Sequence, residues 1–461
     1  MFLESEEKES GTSPSLTGSY PCVNRGARRL GAHVFFEVFA NSAESVLLVG
    51  SFNGWKETHP MKRDADGVWR ICLSASEISD GDRYKFKIFE DGREVYITDP
   101  YAVELDGYPN YNAVYRDIEN ALANCDGEER VGCSDLPLNI YELRACRHND
   151  GRSMSYADIA QEFPPYLMQM GYTHILFGDL CEEFYDHAHS RHDASYLAPR
   201  IQEGGIKGFR ELVQAMHRLG IGVIIDLGMR GIPEYAKKDR FFIDCCLYWA
   251  DVFGVDGFTV DDSGMFSYMG AVRAERAHIC FISKNKDLGG ENFDAVAVDC
   301  DSCPLSLESL ACDASAFNRK MILRAYNTFA SGKIITHMGC ENTLLSDSAE
   351  SSRLQLFTSD LNAIYLSCES LWRDGRSIKI ISDDLGICGV ECCCDGERTV
   401  LLFDPSGEGR ELRLPKRAEY KILLDSLSQR YGGSRRGDMS ICDGRILLDR
   451  FEVVVLEEMK N

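Results

Sequence analysis

The chain has 461 residues, 44% of them apolar, enough to fill the cores of two or three domains rather than one. Its 50 Lys plus Arg stand against 73 Asp plus Glu, a net charge of −23 that repels phosphate backbones and anionic lipid headgroups. This balance speaks against nucleic acid and membrane partners and suits a neutral ligand such as sugar.

No apolar run approaches the roughly 20 residues needed to span a bilayer, and the start, MFLESEEKES, is acidic where an export signal is basic and then apolar. The expected location is the cytoplasm. The 19 cysteines are scattered through apolar runs, which reads as buried free thiols. Residues 1–28 are rich in Ser, Gly and Glu without apolar periodicity and read as a disordered tail. From 29 to 116, short alternating runs (HVFFEVF, SVLLVGSF, VWRICL, YKFKIF, EVYIT) broken by turn dipeptides predict an all-β sandwich. A polar stretch over 117–135 reads as a linker.

From 136 to 375 strand-like and helical patterns alternate: THILF, FRELVQAMHRLG, GVIID, FIDCCLYWADVFG, GFTVD. Strand and helix joined by short connections predict parallel βα units. Residues 376–461 return to strands (TVLLF, YKILLD, RILLD, FEVVVLE) separated by Gly-rich turns, a second all-β domain. The expected protein is therefore multidomain, α/β plus all-β: an N-terminal β-sandwich, a central (β/α)8-type barrel and a C-terminal β-sandwich.

The motifs narrow this further. VGSFNGW at Val49, HPMKRDADGVWRICL, GDRYKFKIFEDG and DPYA at Asp99 together resemble a family 48 carbohydrate-binding module. NIYELRACRH at Asn139, YADIAQEFPPYLMQMGYTHILF at Tyr156, SYLAPR at Ser195, FRELVQAMHRLGIGVIIDLG at Phe209, YWADVFGVDGFTVDD at Tyr248, KIITHMGCEN at Lys333 and LLDSLSQRYGGS at Leu423 resemble the glycogen branching enzymes of the α-amylase superfamily. The resemblance implies an α-glucan ligand and no cofactor or metal.

Retaining glucan transfer needs a carboxylate nucleophile about 5 Å from a carboxylic acid, with groups that orient the sugar and hold the nucleophile ionised. By resemblance, Asp261 in GFTVDD stands at the nucleophile position, but Thr259 replaces the arginine two residues earlier, and a hydroxyl cannot act as a bidentate guanidinium. VIIDLGMRG keeps Asp226 and has Gly231 where the family has a sugar-binding histidine. Strand five, ICFIS at Ile279, offers Ser283 or Lys284 where the acid/base glutamate is expected. CPLSLESL puts Leu307 and Glu308 at a His-Asp pair, leaving Glu308 at the stabiliser position. In an alternative alignment Asp299 is the acid/base, only nine residues before Glu308.

Asp261 and Glu308 are 47 positions apart, too few for strands five to seven and their helices at roughly 30 residues per βα unit. The barrel is expected to be abbreviated. Asp226 and Asp261 also read as structural residues at strand ends that cap helices or bond backbone, and that reading leads over an active role. In the N-terminal module Trp69 and Tyr84 read as core, whereas Trp55, after the Asn53-Gly54 turn, reads as exposed and able to stack on a sugar, with Asn53 beside it. Tyr196 in SYLAPR is a further substrate-binding candidate. Cys392, Cys393 and Cys394, and the loop histidines His187, His189 and His192, read as structural rather than metal-binding. Arg435 and Arg436 read as a solvated turn.

Three readings follow: an α-glucan-binding protein of the branching-enzyme family with lost or reduced catalysis; an active 1,4-α-glucan branching enzyme using Asp261; or a regulatory or scaffolding subunit for a glycogen-metabolising enzyme.

Overall fold

The computed structural model describes residues 25–118, 131, 136–144, 154–178, 180–181, 183–185, 191–193, 195–227, 229, 235–236, 240–260, 263–285, 293–300, 314–338, 348–384, 386–415, 418–435, 439 and 441–459. Alternation of apolar and polar residues builds the N-terminal module from β1 (Arg28–Leu30), β2 (His33–Phe39), β3 (Ser45–Gly50), β4 (Lys62–Arg63), β5 (Val68–Ser74), β6 (Arg83–Glu90), β7 (Arg93–Ile97) and β8 (Ala113–Val114). They pair as two antiparallel sheets, β1-β2-β5-β4 and β3-β6-β7 with β8 on β6. The core between them holds Phe36, Val38, Leu48, Trp69, Tyr84 and Phe86. Trp69 satisfies its indole by donating to the Ala40 carbonyl at 2.9 Å.

The barrel strands are β9 (Leu138–Leu143), β10 (His174–Phe177), β13 (Gly222–Asp226), β14 (Gly257–Thr259), β15 (Cys280–Ser283), β16 (Ala295–Val296), β17 (Val298–Asp299) and β18 (Lys333–His337); a hairpin, β11 (Glu183–Tyr185) with β12 (Arg191–Asp193), follows β10. The helices are α1 (Tyr156–Met170), α2 (Gly205–His217), α3 (Phe241–Tyr248), α4 (Phe266–Glu275), α5 (Ala316–Ser331), α6 (Ser348–Ser367) and α7 (Glu369–Trp372). Strands buried on both faces are predominantly apolar, and β9, β10 and β15 are wholly buried. Leu138, Ile140, Leu176, Ile224, Cys280, Ile282, Ala295, Ala297 and Ile335 fill the barrel interior. Alternate residues, among them Tyr141, Ile175, Val223, Phe258 and Phe281, pack outward beneath the helices.

All barrel pairings are parallel, in the order β16-β15-β14-β13-β10-β9-β18-β17. The two end strands are halves of one run, Ala295–Asp299, divided only by Ala297. Its first half pairs with β15 (Ile282↔Ala295) and its second with β18 (Asp299↔Ile335). Among the described residues this one five-residue run thus stands between β15 and β18 and nearly closes the barrel.

The last domain contains β19 (Ser377–Asp383), β20 (Gly386–Cys394), β21 (Glu397–Phe403), β22 (Arg410–Arg413), β23 (Tyr420–Asp425), β24 (Ile441–Cys442), β25 (Arg445–Leu448) and β26 (Val453–Glu458). They form a five-stranded sheet, β19-β20-β21-β26-β23, and a three-stranded one, β22-β25-β24. The larger sheet turns one face to α5 and α6, through Val390, Leu401, Phe403 and Val455, and the other to the smaller sheet. Arg435 departs from the expected solvated turn: its guanidinium reaches Asp425 at 2.7 Å and the fully buried Glu452 at 2.5 Å. A buried carboxylate needs a cation, and the chain reversal after YGGS brings this one to it.

Candidate functional site at the barrel mouth and the module turn

Period-two alternation decides which side chains reach the carboxyl-end mouth of the barrel, where sites in such barrels gather. Ile140, Ile224, Ile282, Ala297 and Ile335 point inward, so Glu142, Asp226, Lys284, Asp299 and His337, each two residues further on, reach the mouth. Thr259 lies beside Asp226 and Ile282 in the register and is buried, its hydroxyl making no hydrogen bond among the described residues.

These groups form one ionic chain. Lys284 Nζ bonds Asp226 Oδ2 and lies 3.6 Å from Glu142 Oε1. Glu142, fully buried, also takes Arg144 Nε at 2.6 Å and is bonded by His337 Nδ1. His337 Nε2 reaches Asp299 Oδ2 at 3.1 Å. Burial alone would raise the Glu142 carboxyl, but the His337 hydrogen bond, the Lys284 charge and Arg144 outweigh it and hold it at about 2. Bonds to Asp299 and then Glu142 push His337 up to about 9, so the imidazole is a cation at neutral pH.

Of the residues expected from sequence, Asp226 and Asp299 meet in this mouth, tied to Lys284 and His337 respectively. Lys284, one of two residues expected in place of the acid/base glutamate, follows the end of β15 directly. Asp261, Glu308, Gly231 and Leu307 lie outside the described residues. Tyr196 is elsewhere, half-buried against Phe241 with ring centroids 5.9 Å apart, its carbonyl accepting from the Trp249 indole at 2.9 Å. Glu142 and His337 were not singled out from sequence. The available signal was an ionisable residue at or next to the carboxyl end of a parallel strand, in NIYEL and KIITH.

The second site is the turn after β3. Trp55 is 42% exposed and adopts a left-handed backbone, φ 59°, an unfavourable conformation for a bulky residue that the surrounding turn must impose. Asn53 imposes it: Oδ1 accepts from Gly50 N at 3.1 Å, while Nδ2 donates to Leu48 O at 3.3 Å and Lys56 O at 3.0 Å. Its amide is thus committed to the turn that presents the indole. Tyr96, 53% exposed and missed from sequence, lies opposite Lys87 across β6 and β7. Lys87 is bonded to Glu57, two residues beyond Trp55, and stands 5.5 Å from the Tyr96 ring centre. Two exposed aromatics, the groups that stack on pyranose faces, are linked through this lysine.

A β-sandwich that exposes Trp55 and Tyr96 is followed in the chain by a parallel barrel whose mouth gathers charged strand ends. Residues 24–102 match the family model "Carbohydrate-binding module 48 (Isoamylase N-terminal domain)". The 1,4-alpha-glucan branching enzyme GlgB of Nitrosomonas eutropha is 30% identical over 328 residues, 61% of this chain and 43% of its own. That of Rubrobacter xylanophilus is 30% identical over 325 residues, 59% of this chain and 44% of its own. The match thus spans less than half the length of these curated relatives. Among solved structures, the pullulanase of Bacillus acidopullulyticus superimposes with TM-score 0.72 at 13% identity, covering 96% of this chain and 75% of that one. A GBS pullulanase SAP in complex with maltotetraose gives 0.70 at 15%, covering 95% and 88%. The chain is thus similar to 1,4-alpha-glucan branching enzymes over about 60% of its length, carries an N-terminal match to the family 48 carbohydrate-binding module, and shares its fold with pullulanases.

Proposed function

We propose that this chain is an α-glucan-binding protein that has given up glycosyl transfer. The observation that carries the reading is Lys284, which stands at the end of β15 and spends its charge on Asp226 and Glu142. An ammonium that pairs with carboxylates cannot protonate a glycosidic oxygen as a tuned carboxylic acid does, and the ion pairs occupy the mouth where a sugar ring would have to enter. Thr259 adds a neutral hydroxyl where the chemistry needs a guanidinium. Binding falls to the module, whose Trp55 and Tyr96 are exposed. Support comes from the family 48 match and from the glucan-acting names of the relatives. The ligand is an α-1,4/α-1,6 glucan such as glycogen, the setting cytoplasmic; among the described residues no helix is long and apolar enough to cross a membrane.

Two assays on the full chain test the reading. Migration in glycogen-containing native gels should be retarded, and iodine staining of amylose should stay flat over time. Unretarded migration would refute binding. A fall in absorbance that disappears in Asp261→Asn would refute the loss of catalysis and establish an active branching enzyme.

A further inference from the structure

The module is completed by the barrel. Ala198, fully buried, and Tyr235 belong to barrel loops but pack into the module core, and Ser195 Oγ donates to the Ala102 carbonyl at 2.5 Å. The DPYA turn makes the return contact: the Tyr101 ring meets Phe241 of α3 edge-on at 5.0 Å, and its hydroxyl donates to Asp244 at 3.3 Å. Arg25, just before β1, adds a charge 3.8 Å from the same carboxylate.

From this joint an unbroken set of hydrogen bonds and strand pairings runs to the stacking indole. Tyr101 N donates to Asp99 Oδ1 at 2.8 Å, and Asp99 Oδ2 accepts from the Tyr84 hydroxyl at 2.7 Å. Both Asp99 and Tyr84 are buried. Tyr84 pairs across the sheet with Gly50. Gly50 N is the donor to Asn53 Oδ1, and Gly50 O accepts from Trp55 N at 2.8 Å. Gly50 has no slack: a Cβ there would lie 2.3 Å from the Arg83 carbonyl oxygen and 2.6 Å from the Phe52 ring. A displacement at Tyr101 therefore reaches a strained Trp55 through buried groups with little room to absorb it.

We propose that docking of the module on α3 sets the posture of Trp55, so that glucan binding at the turn and docking at the joint are thermodynamically coupled. Tyr101 and Tyr84 are the positioning residues. This rests on the glucan reading above and gives the barrel a use that needs no catalysis. Coupling free energies are reciprocal: if docking favours the binding posture, bound glucan must tighten the joint by the same factor.

Hydrogen exchange of the full chain with and without maltoheptaose tests this directly. Bound sugar should slow exchange at Tyr101, Ala102 and residues 195–198 by about fivefold or more, the low end of ordinary coupling. Tyr84→Phe, which deletes only the hydroxyl on Asp99, should weaken maltoheptaose binding by a similar factor with unchanged circular dichroism. Tyr101→Ala should do the same, and Tyr101→Phe, which keeps the ring on Phe241, should restore most of the affinity. If either variant fails to fold, the wild-type exchange measurement still decides. Protection confined to residues 50–59 would overturn the coupling while leaving glucan binding intact. Absence of maltoheptaose binding by the wild type would overturn the glucan reading, and this inference with it.

Discussion

Replacing Glu142 with Gln removes the charge on which the barrel mouth converges while keeping the shape of the side chain. The carboxyl is fully buried and holds His337, Lys284 and Arg144. It titrates at about 2 instead of 4.5, a separation that corresponds to roughly 3 kcal/mol favouring the ionised form at about 1.4 kcal/mol per tenfold. His337 rises from 6.5 to about 9. That is partly the same interaction seen from the other partner, so the two are not added. Gln keeps one acceptor, which places the expected loss near 2–3 kcal/mol, just below the ~3–5 typical of breaking a buried pair. With about 2–4 °C per kcal/mol for a barrel of this size, Glu142→Gln should melt roughly 4–12 °C lower by calorimetry.

The sharper readout is the imidazole itself, followed by NMR and assigned with His337→Gln. Its midpoint should fall well below 9 yet stay above 6.5, because the bond to Asp299, the larger cause, survives. The sign with pH is determined. The raised His337 value contributes stability that is full below 6.5 and lost as pH rises through about 9; the depressed Glu142 value contributes stability present above 4.5 and lost as pH falls through about 2. The wild type should therefore lose stability between pH 6.5 and 9 more steeply than Glu142→Gln. An unchanged His337 midpoint together with equal melting would refute the ionic chain at the mouth.

Trp55→Ala should weaken retardation in glycogen gels by about tenfold in affinity, the loss of roughly 1–2 kcal/mol from one stacking ring, without lowering the melting temperature; equal migration would remove Trp55 from the site. Asp99, raised by burial to about 7 from 3.8, should make the module less stable as pH rises from about 4 to 7, and Asp99→Asn should flatten that dependence; a thermal scan across this range checks it. Arg435→Ala should destabilise the C-terminal domain by about 1–2 kcal/mol near neutrality and more at higher pH, because Glu452, already raised by burial to about 7, can take a proton instead of remaining a bare buried charge. Urea unfolding at pH 6 and pH 8 separates the two; an equal loss at both would contradict this.

The domain order, the module and the barrel were legible in the sequence because period-two and helical alternation are local properties, and VGSFNGW or GVIID carries them wherever it occurs. What the local pattern could not show was how the sheet closes between β15 and β18. The run Ala295–Asp299 serves two neighbours because β15 and β18, distant in sequence, stand on either side of it. Likewise Glu142, Lys284 and His337 come from strand ends far apart along the chain. Each residue type was visible in the sequence, but an ion pair depends on distance and on exclusion of water, and only the closing of the sheet brings these side chains together in a buried place.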